Sequence, residues 1–193
     1  LIGPKTVAEG SLLSFTISAS DADFPTQTLT YSATPLPPGA TFTPATRAFS
    51  WTPTEADGPS APVVTFSVSD GVVTTSEAVT ITVTEVNVAP VLTAIGPKTV
   101  NELTELRFTI SATDVDQPTQ TLVYSATGLP TGATFNPLTR EFVWTPTEQQ
   151  GPGSPVVIFS VTDGVVTISE AVTITVSEVN VAPVLTLIGP KTV

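Results

Sequence analysis

Trp51 returns as Trp144, 93 residues later, and the same interval carries Asp21 to Asp114, Asp70 to Asp163 and Pro90 to Pro183 without a gap. About three residues in four are identical between the copies. A chain built this way must fold as units that stack on their neighbours, since each repeat is one structural module. The heptad LIGPKTV opens the chain at residues 1–7 and closes it at 187–193, and AIGPKTV stands at 94–100. The repeat therefore divides the sequence into residues 1–88, residues 89–181 and the start of a third copy at 182–193. Because both ends fall inside a repeat, the expectation is a window on a longer array, or a protomer whose end strand completes a neighbour.

Within one repeat the apolar residues alternate with polar ones at period two, the signature of a half-buried strand. Leu13, Phe15 and Ile17 share one face, as do Leu29, Tyr31 and Ala33, then Val64, Phe66 and Val68, then Val79, Ile81 and Val83. Thr, Val and Ile dominate these runs and suit a pleated surface. Most of the 19 prolines and 12 glycines fall between the runs. Asp70-Gly71 between two alternating runs predicts a tight hairpin. About seven short strands per repeat predict an all-β fold of tandem immunoglobulin/cadherin-like Greek-key β-sandwiches. The core aromatics are expected to be Phe15, Tyr31, Phe42, Phe49, Trp51 and Phe66 with their partners 93 residues on, and Trp51 to be a core plug.

The composition narrows the chemistry. There is no Cys and no His, which removes disulfides, thiolate metal sites and the commonest general base. Ser and Thr are plentiful but no base stands ready to activate one. The pairs Asp21/Asp23 and Glu55/Asp57 lie within single loops, not across a cleft as glycosidase carboxylates must. An enzyme is not expected. A net charge of −11 repels nucleic acid and anionic membranes and attracts cations. No apolar run reaches the roughly 18 residues of a membrane span, so neither nucleic acid nor direct membrane insertion is expected. Lys5 and Lys98, each beside a proline, read as solvated protection of an edge strand.

The order of motifs is specific: Asp21-Ala22-Asp23, Leu29-Thr30-Tyr31-Ser32, Leu36-Pro37-Pro38-Gly39-Ala40-Thr41-Phe42, Phe49-Ser50-Trp51-Thr52-Pro53, Phe66-Ser67-Val68-Ser69-Asp70-Gly71 and Val86-Asn87-Val88-Ala89-Pro90. It resembles the bacterial putative-immunoglobulin (He_PIG-like) repeat and the related dystroglycan-type cadherin-like domain, over the whole chain. The resemblance implies an extracellular or cell-surface bacterial protein in which such domains run in tandem as stalks and adhesive arms. Its partners would be neighbouring repeats of the same array and, in a filament, other copies of itself. A binding module that grips glycan or protein through sandwich-end loops is the alternative, resting chiefly on Phe24.

Many such relatives bind calcium between domains. With the topology the resemblance implies, Glu9, Asn87, Asp114, Asp116 and Asp163 are the candidate ligands, with Glu85 and Asn87 in the connecting segment. Ca²⁺ takes six to eight oxygens, and carboxylates with carbonyls supply them. The family's linker usually carries a further Asp just before Ala-Pro; here Val88 and Val181 stand there, which lowers the expected affinity.

Overall fold

The computed structural model describes residues 1–186 and 189. Two compact units account for them: Leu1–Val88 with Asp114–Gln120, and the rest, Ala89–Thr113 with the residues from Thr121 onward. In the first unit the strands are β1 (Lys5–Ala8), β2 (Leu13–Thr16), β3 (Thr30–Thr34), β4 (Thr41–Thr43), β5 (Ala48–Trp51), β6 (Val63–Ser69) and β7 (Thr74–Thr84). They form one sheet in the order β1-β7-β6-β3 and a second in the order β2-β5-β4. All pairs are antiparallel except β1 with β7, which run parallel from Lys5↔Ile81 to Ala8↔Thr84.

The second unit repeats this with β8 (Val91–Leu92), β9 (Lys98–Asn101), β10 (Leu106–Thr109), β11 (Ala112–Thr113), β12 (Val123–Thr127), β13 (Thr134–Asn136), β14 (Glu141–Trp144), β15 (Val156–Thr162) and β16 (Thr167–Ser177). Its sheets are β12-β15-β16-β9 and β10-β14-β13, with a short ribbon of β8 and β11 beside them. Two packed antiparallel sheets with a parallel first strand make each unit an immunoglobulin/cadherin-like sandwich.

Alternation decides which side chains meet between the sheets. Phe15, Phe42 and Phe49 come from one sheet, and Phe66 from the other meets all three edge-on, with centroids 5.6, 5.8 and 5.7 Å away. Such pairs contribute roughly 0.5–1.5 kcal/mol beyond their area. Phe108, Phe135, Phe142 and Phe159 repeat the cluster. Trp51 and Trp144 are fully buried, and their indole N–H groups donate to Pro38 O at 3.0 Å and Thr131 O at 3.2 Å. Both are core plugs, as the sequence predicts.

Two local expectations change. The hairpin tip is Gly71-Val72, because Asp70 N donates to Val73 O. Asp70 flanks the turn, its Oδ1 accepting from Val72 N and Val73 N at 2.7 Å each. Lys5 is half-buried, not a solvated guard: its Nζ donates to Ile2 O at 2.6 Å and lies 5.4 Å from the Phe15 ring centre. Lys98 does the same with Ile95 O and Phe108.

Those lysines belong to a bend in the first strand of each repeat. Gly96 takes φ +66°, which turns the chain from β8 into β9. Glu170 of β16 clamps the bend, accepting from Ile95 N at 2.9 Å and Gly96 N at 2.8 Å. Glu77 of β7 clamps Ile2 and Gly3 in the same way. The bonds from Gly3 and Ile2 hold the Glu77 carboxyl below its ordinary pKa.

Three described residues other than glycine take a positive φ: Arg47, its counterpart Arg140, and Leu103. Gly10 has φ +68°, and its counterpart Leu103 is held at φ +59° with an exposed side chain. A left-handed residue other than glycine costs about 1–2 kcal/mol. Leu103→Gly is therefore expected to stabilise the second repeat by about 1 kcal/mol, read as an increase in the denaturation midpoint at constant m-value.

Candidate metal centre

Three separate segments of the first unit bring carboxylates to one place. Glu9 follows β1, where its N–H donates to Thr84 O at 3.1 Å and the next residue, Gly10, donates to Pro53 O at 2.8 Å. Glu85 follows directly on β7. Glu55 sits in a short 3-10 turn, Glu55–Asp57, fastened by Thr54 N and Thr54 Oγ1 donating to Asp57 Oδ2 at 2.8 and 2.7 Å. One carboxylate oxygen from each of Glu9, Glu55 and Glu85 lies within 4.8 Å of the others.

Glu9 is only 6% exposed. Its Oε1 accepts from Val86 N at 3.0 Å, which ties down the segment after β7. Its Oε2 lies against Gly58, where an added Cβ would stand 2.0 Å from it. Glycine is needed there for the carboxylate to approach the backbone. Glu9 Oε2 and both oxygens of Glu85 are buried without a hydrogen-bond partner.

The loop Asp114–Gln120, which packs as part of this unit, adds a second group. Asp116 is 3% exposed, and both its oxygens accept from Val88 N, at 3.0 and 3.1 Å. Gln120 Nε2 donates at 3.0 Å to Asp116 Oδ2 and to Asn87 Oδ1. Asp116 N donates to Asp114 Oδ1 at 3.1 Å, while Asp114 Oδ2 is buried without a hydrogen-bond partner. Gln117 N donates to Glu55 Oε1 at 2.9 Å.

No basic side chain offsets this charge among the described residues. The ion pairs there are Arg107 with Glu105 and with Glu141. Lys5, Lys98, Arg47 and Arg140 all lie over aromatic rings. Burial, then the charges of Glu9, Glu55 and Asp116, raise the pKa of Glu85. Such a set has two ways to relieve its repulsion: take up a proton, or hold a cation. All-oxygen ligands with no His or Cys suit a hard cation such as Ca²⁺.

The second unit repeats the core of the site. Glu102 is 2% exposed, its Oε1 accepts from Val179 N at 2.8 Å, and its unpartnered Oε2 lies against Gly151. Glu148 and Glu178 join it within 4.8 Å. Burial first, then Glu102 and Glu148, raises the pKa of Glu178.

Four of the five ligands expected from sequence, Glu9, Asn87, Asp114 and Asp116, thus fall in the first unit. Asp163 stands in the β15–β16 turn of the second, where its Oδ1 accepts from Val165 N at 2.7 Å and Val166 N at 2.6 Å. Sequence reasoning left Glu55, Glu85 and Gln120 out of the ligand set. A usable signal was present, since Glu55 and Glu85 return as Glu148 and Glu178 while Asp57 becomes Gln150.

A family model described as "Putative Ig domain" matches residues 2–84 and 89–177. The chain belongs to that family. No curated protein matches the sequence. Among solved structures, human protocadherin-24 EC1-2 is similar at 17% identity and a TM-score of 0.51, over 91% of this chain and 95% of that one. The titin domains Z1Z2 give 14% identity and a TM-score of 0.44, over 92% and 94%. An endo-fucoidan hydrolase of glycoside hydrolase family 107 gives 20% identity and a TM-score of 0.41; the match covers 92% of this chain and 28% of the hydrolase. The protocadherin match supports the fold alone. Tandem Ig-like domains of this kind are typical of extracellular repeat proteins and of non-enzymatic modules. Among the described residues no helix is long and apolar enough to cross a membrane.

The raised Glu85 pKa has a definite sign for stability. A folded-state value above the ordinary carboxylate value of about 4.3 means that the folded protein binds more protons than the unfolded chain. That contribution is complete below the ordinary value and is lost as pH rises through the raised one. Glu178 acts in the same direction, and Glu77, shifted down, acts only below the ordinary value. In EGTA the melting temperature is expected to fall as pH is raised from about 5 to 7, and Glu85→Gln is expected to flatten that slope.

Proposed function

We propose that this chain is a structural segment of a surface array on a bacterial cell, an adhesin stalk or filament in which tandem sandwiches carry load, and that Ca²⁺ stiffens it. The observation that supports the calcium reading most directly is the set of buried, unpartnered carboxylate oxygens of Glu9 and Glu85 beside Glu55. A cation there would neutralise them and fix the segment Glu85–Val88, already tied to Glu9 through Val86 and to Asp116 through Val88. The proline at residue 90 adds stiffness without metal, because it confines Ala89 to extended geometry. Val88 supplies no carboxylate, so the expected affinity is that of an extracellular module, about 10⁻⁴–10⁻³ M.

Thermal unfolding of the whole chain in excess Ca²⁺ and in EGTA tests this. A ligand that binds only the folded state adds about 2.7 kcal/mol at a hundredfold excess over its dissociation constant. The melting temperature is expected to rise with Ca²⁺, and Glu9→Gln with Glu85→Gln to abolish the part that belongs to the first unit. An unchanged melting temperature in Ca²⁺ would leave the rod without a metal.

A second reading, an adhesive module, has one observation in its favour: Phe24 is 97% exposed in the loop after β2, and its counterpart is Gln117. It requires glycan or protein binding that Phe24→Ala removes; a glycan array without hits for the parent chain would count against it.

A further inference from the structure

Each four-stranded sheet ends in a strand that nothing guards. In the second unit that strand is β12, which pairs with β15 on one side only. No other backbone hydrogen bond among the described residues involves Val123–Thr127. Edge strands are ordinarily blunted by a charge, a proline or a bulge. β12 reads VYSAT and pairs without interruption from Val123↔Thr162 to Thr127↔Ile158, so it has none of the three. β3 of the first unit, TYSAT, is the same edge in the same register. Lys5 and Glu77, or Lys98 and Glu170, are the only charged residues in the four strands of each sheet. All four of them serve the bend of the first strand.

The edge also fits itself. Antiparallel pairing of β12 with a second β12 about Ser125 sets Tyr124 opposite Ala126 and Val123 opposite Thr127, by alternation alone. A bulky residue then faces a small one on the inner side, and serine faces serine on the outer side. β3 gives the same match about Ser32, with Tyr31 opposite Ala33. Facing serines on this surface already bond: Ser160 Oγ and Ser169 Oγ lie 2.8 Å apart, as do Ser67 Oγ and Ser76 Oγ. Ser125 stands opposite Ser160 and Ser32 opposite Ser67, so a second copy extends each serine row across the joint.

We propose that this edge is a self-association surface: β3 or β12 of one copy pairs antiparallel with β3 or β12 of a second, serine opposite serine, and two four-stranded sheets become one. Strand addition takes its affinity from main-chain hydrogen bonds and its register from side chains. A symmetric joint needs only one self-complementary patch. Ser32 and Ser125 are exposed. Copies of charge −11 repel one another, and an uncharged edge is where they do so least. The carboxylate cluster takes no part, so the association does not depend on calcium. The end strand expected from sequence to complete a neighbour falls on residues 187–193, which apart from Gly189 lie outside the described residues, and the edge does not use it.

Sedimentation velocity of the whole chain tests the proposal, in EGTA and at physiological salt, from micromolar to sub-millimolar protein. The parent is expected to grow with concentration toward multiples of 19.9 kDa. Ser32→Lys with Ser125→Lys changes exposed side chains and is expected to weaken association by about tenfold or more, because like charges then stand opposite. Ser32→Glu with Ser125→Glu is expected to do the same. An equimolar mixture of the two variants is expected to associate again, since each lysine then meets a glutamate. Amide hydrogen exchange at 30–34 and 123–127 is expected to slow as the parent associates, which packing of one sheet face on another would not cause. A parent that stays monomeric throughout, a single variant that associates as well as the parent, a mixture no stronger than its components, or edge amides that exchange at one rate at every concentration would each overturn the proposal.

Discussion

The bent first strand is the constraint on which each sandwich depends. Its inner half must run parallel to the last strand of one sheet, and in the second unit its outer half pairs with β11 in a short ribbon. A glycine with positive φ makes the bend and a glutamate on the last strand holds it, through Gly96 and Glu170 or Gly3 and Glu77. The carboxylate satisfies two backbone N–H groups that the bend would otherwise leave unpaired, and such groups are costly when buried. The lysine that follows satisfies the carbonyl on the other side. Once the bend is fixed, the inner half delivers Glu9 or Glu102 to the end of the last strand, and the outer half closes the flank of the sandwich. The carboxylate cluster is a consequence of where this strand goes.

The acidic residues sort cleanly by whether they recur. Glu9, Asp21, Asp23, Glu55, Asp70, Glu77 and Glu85 all have acidic counterparts 93 residues on. In the first repeat they clamp the bend, shape turns or converge at the carboxylate cluster. Those without a counterpart do local work: Asp57 caps its own turn, and Glu105 and Glu141 pair with Arg107. Half-exposed pairs of that last kind contribute little to stability. The internal repeat therefore separates architectural acids from solvating ones more sharply than net charge does.

This explains what was legible in the sequence. The strands, the two sheets and the buried tryptophans follow from alternation and turn residues, which are local signals. The bend did not, because Ile-Gly-Pro-Lys reads as a loop and Glu77 looks like an ordinary solvent-facing residue of an alternating strand. Lys5 was misread for the same reason, since its partners are a carbonyl three residues back and a ring on another strand. The expectation of Glu9, Asn87, Asp114, Asp116 and Asp163 as ligands came from resemblance, whereas Glu55 reads from sequence as a loop carboxylate. Its convergence with Glu9 and Glu85 is a property of topology, carried by three segments far apart in the chain.

A shortage of cations bears both on the carboxylate cluster and on contact between copies. The chain has 6 basic residues against 17 acidic ones, and every described Lys and Arg is engaged by a ring, a carbonyl or a peripheral glutamate. Among the described residues nothing basic is left to neutralise Glu9, Glu55 and Glu85, and protons or a hard cation from solution can do so. The same imbalance works against contact between copies through polar surface, because like charges meet wherever two faces approach.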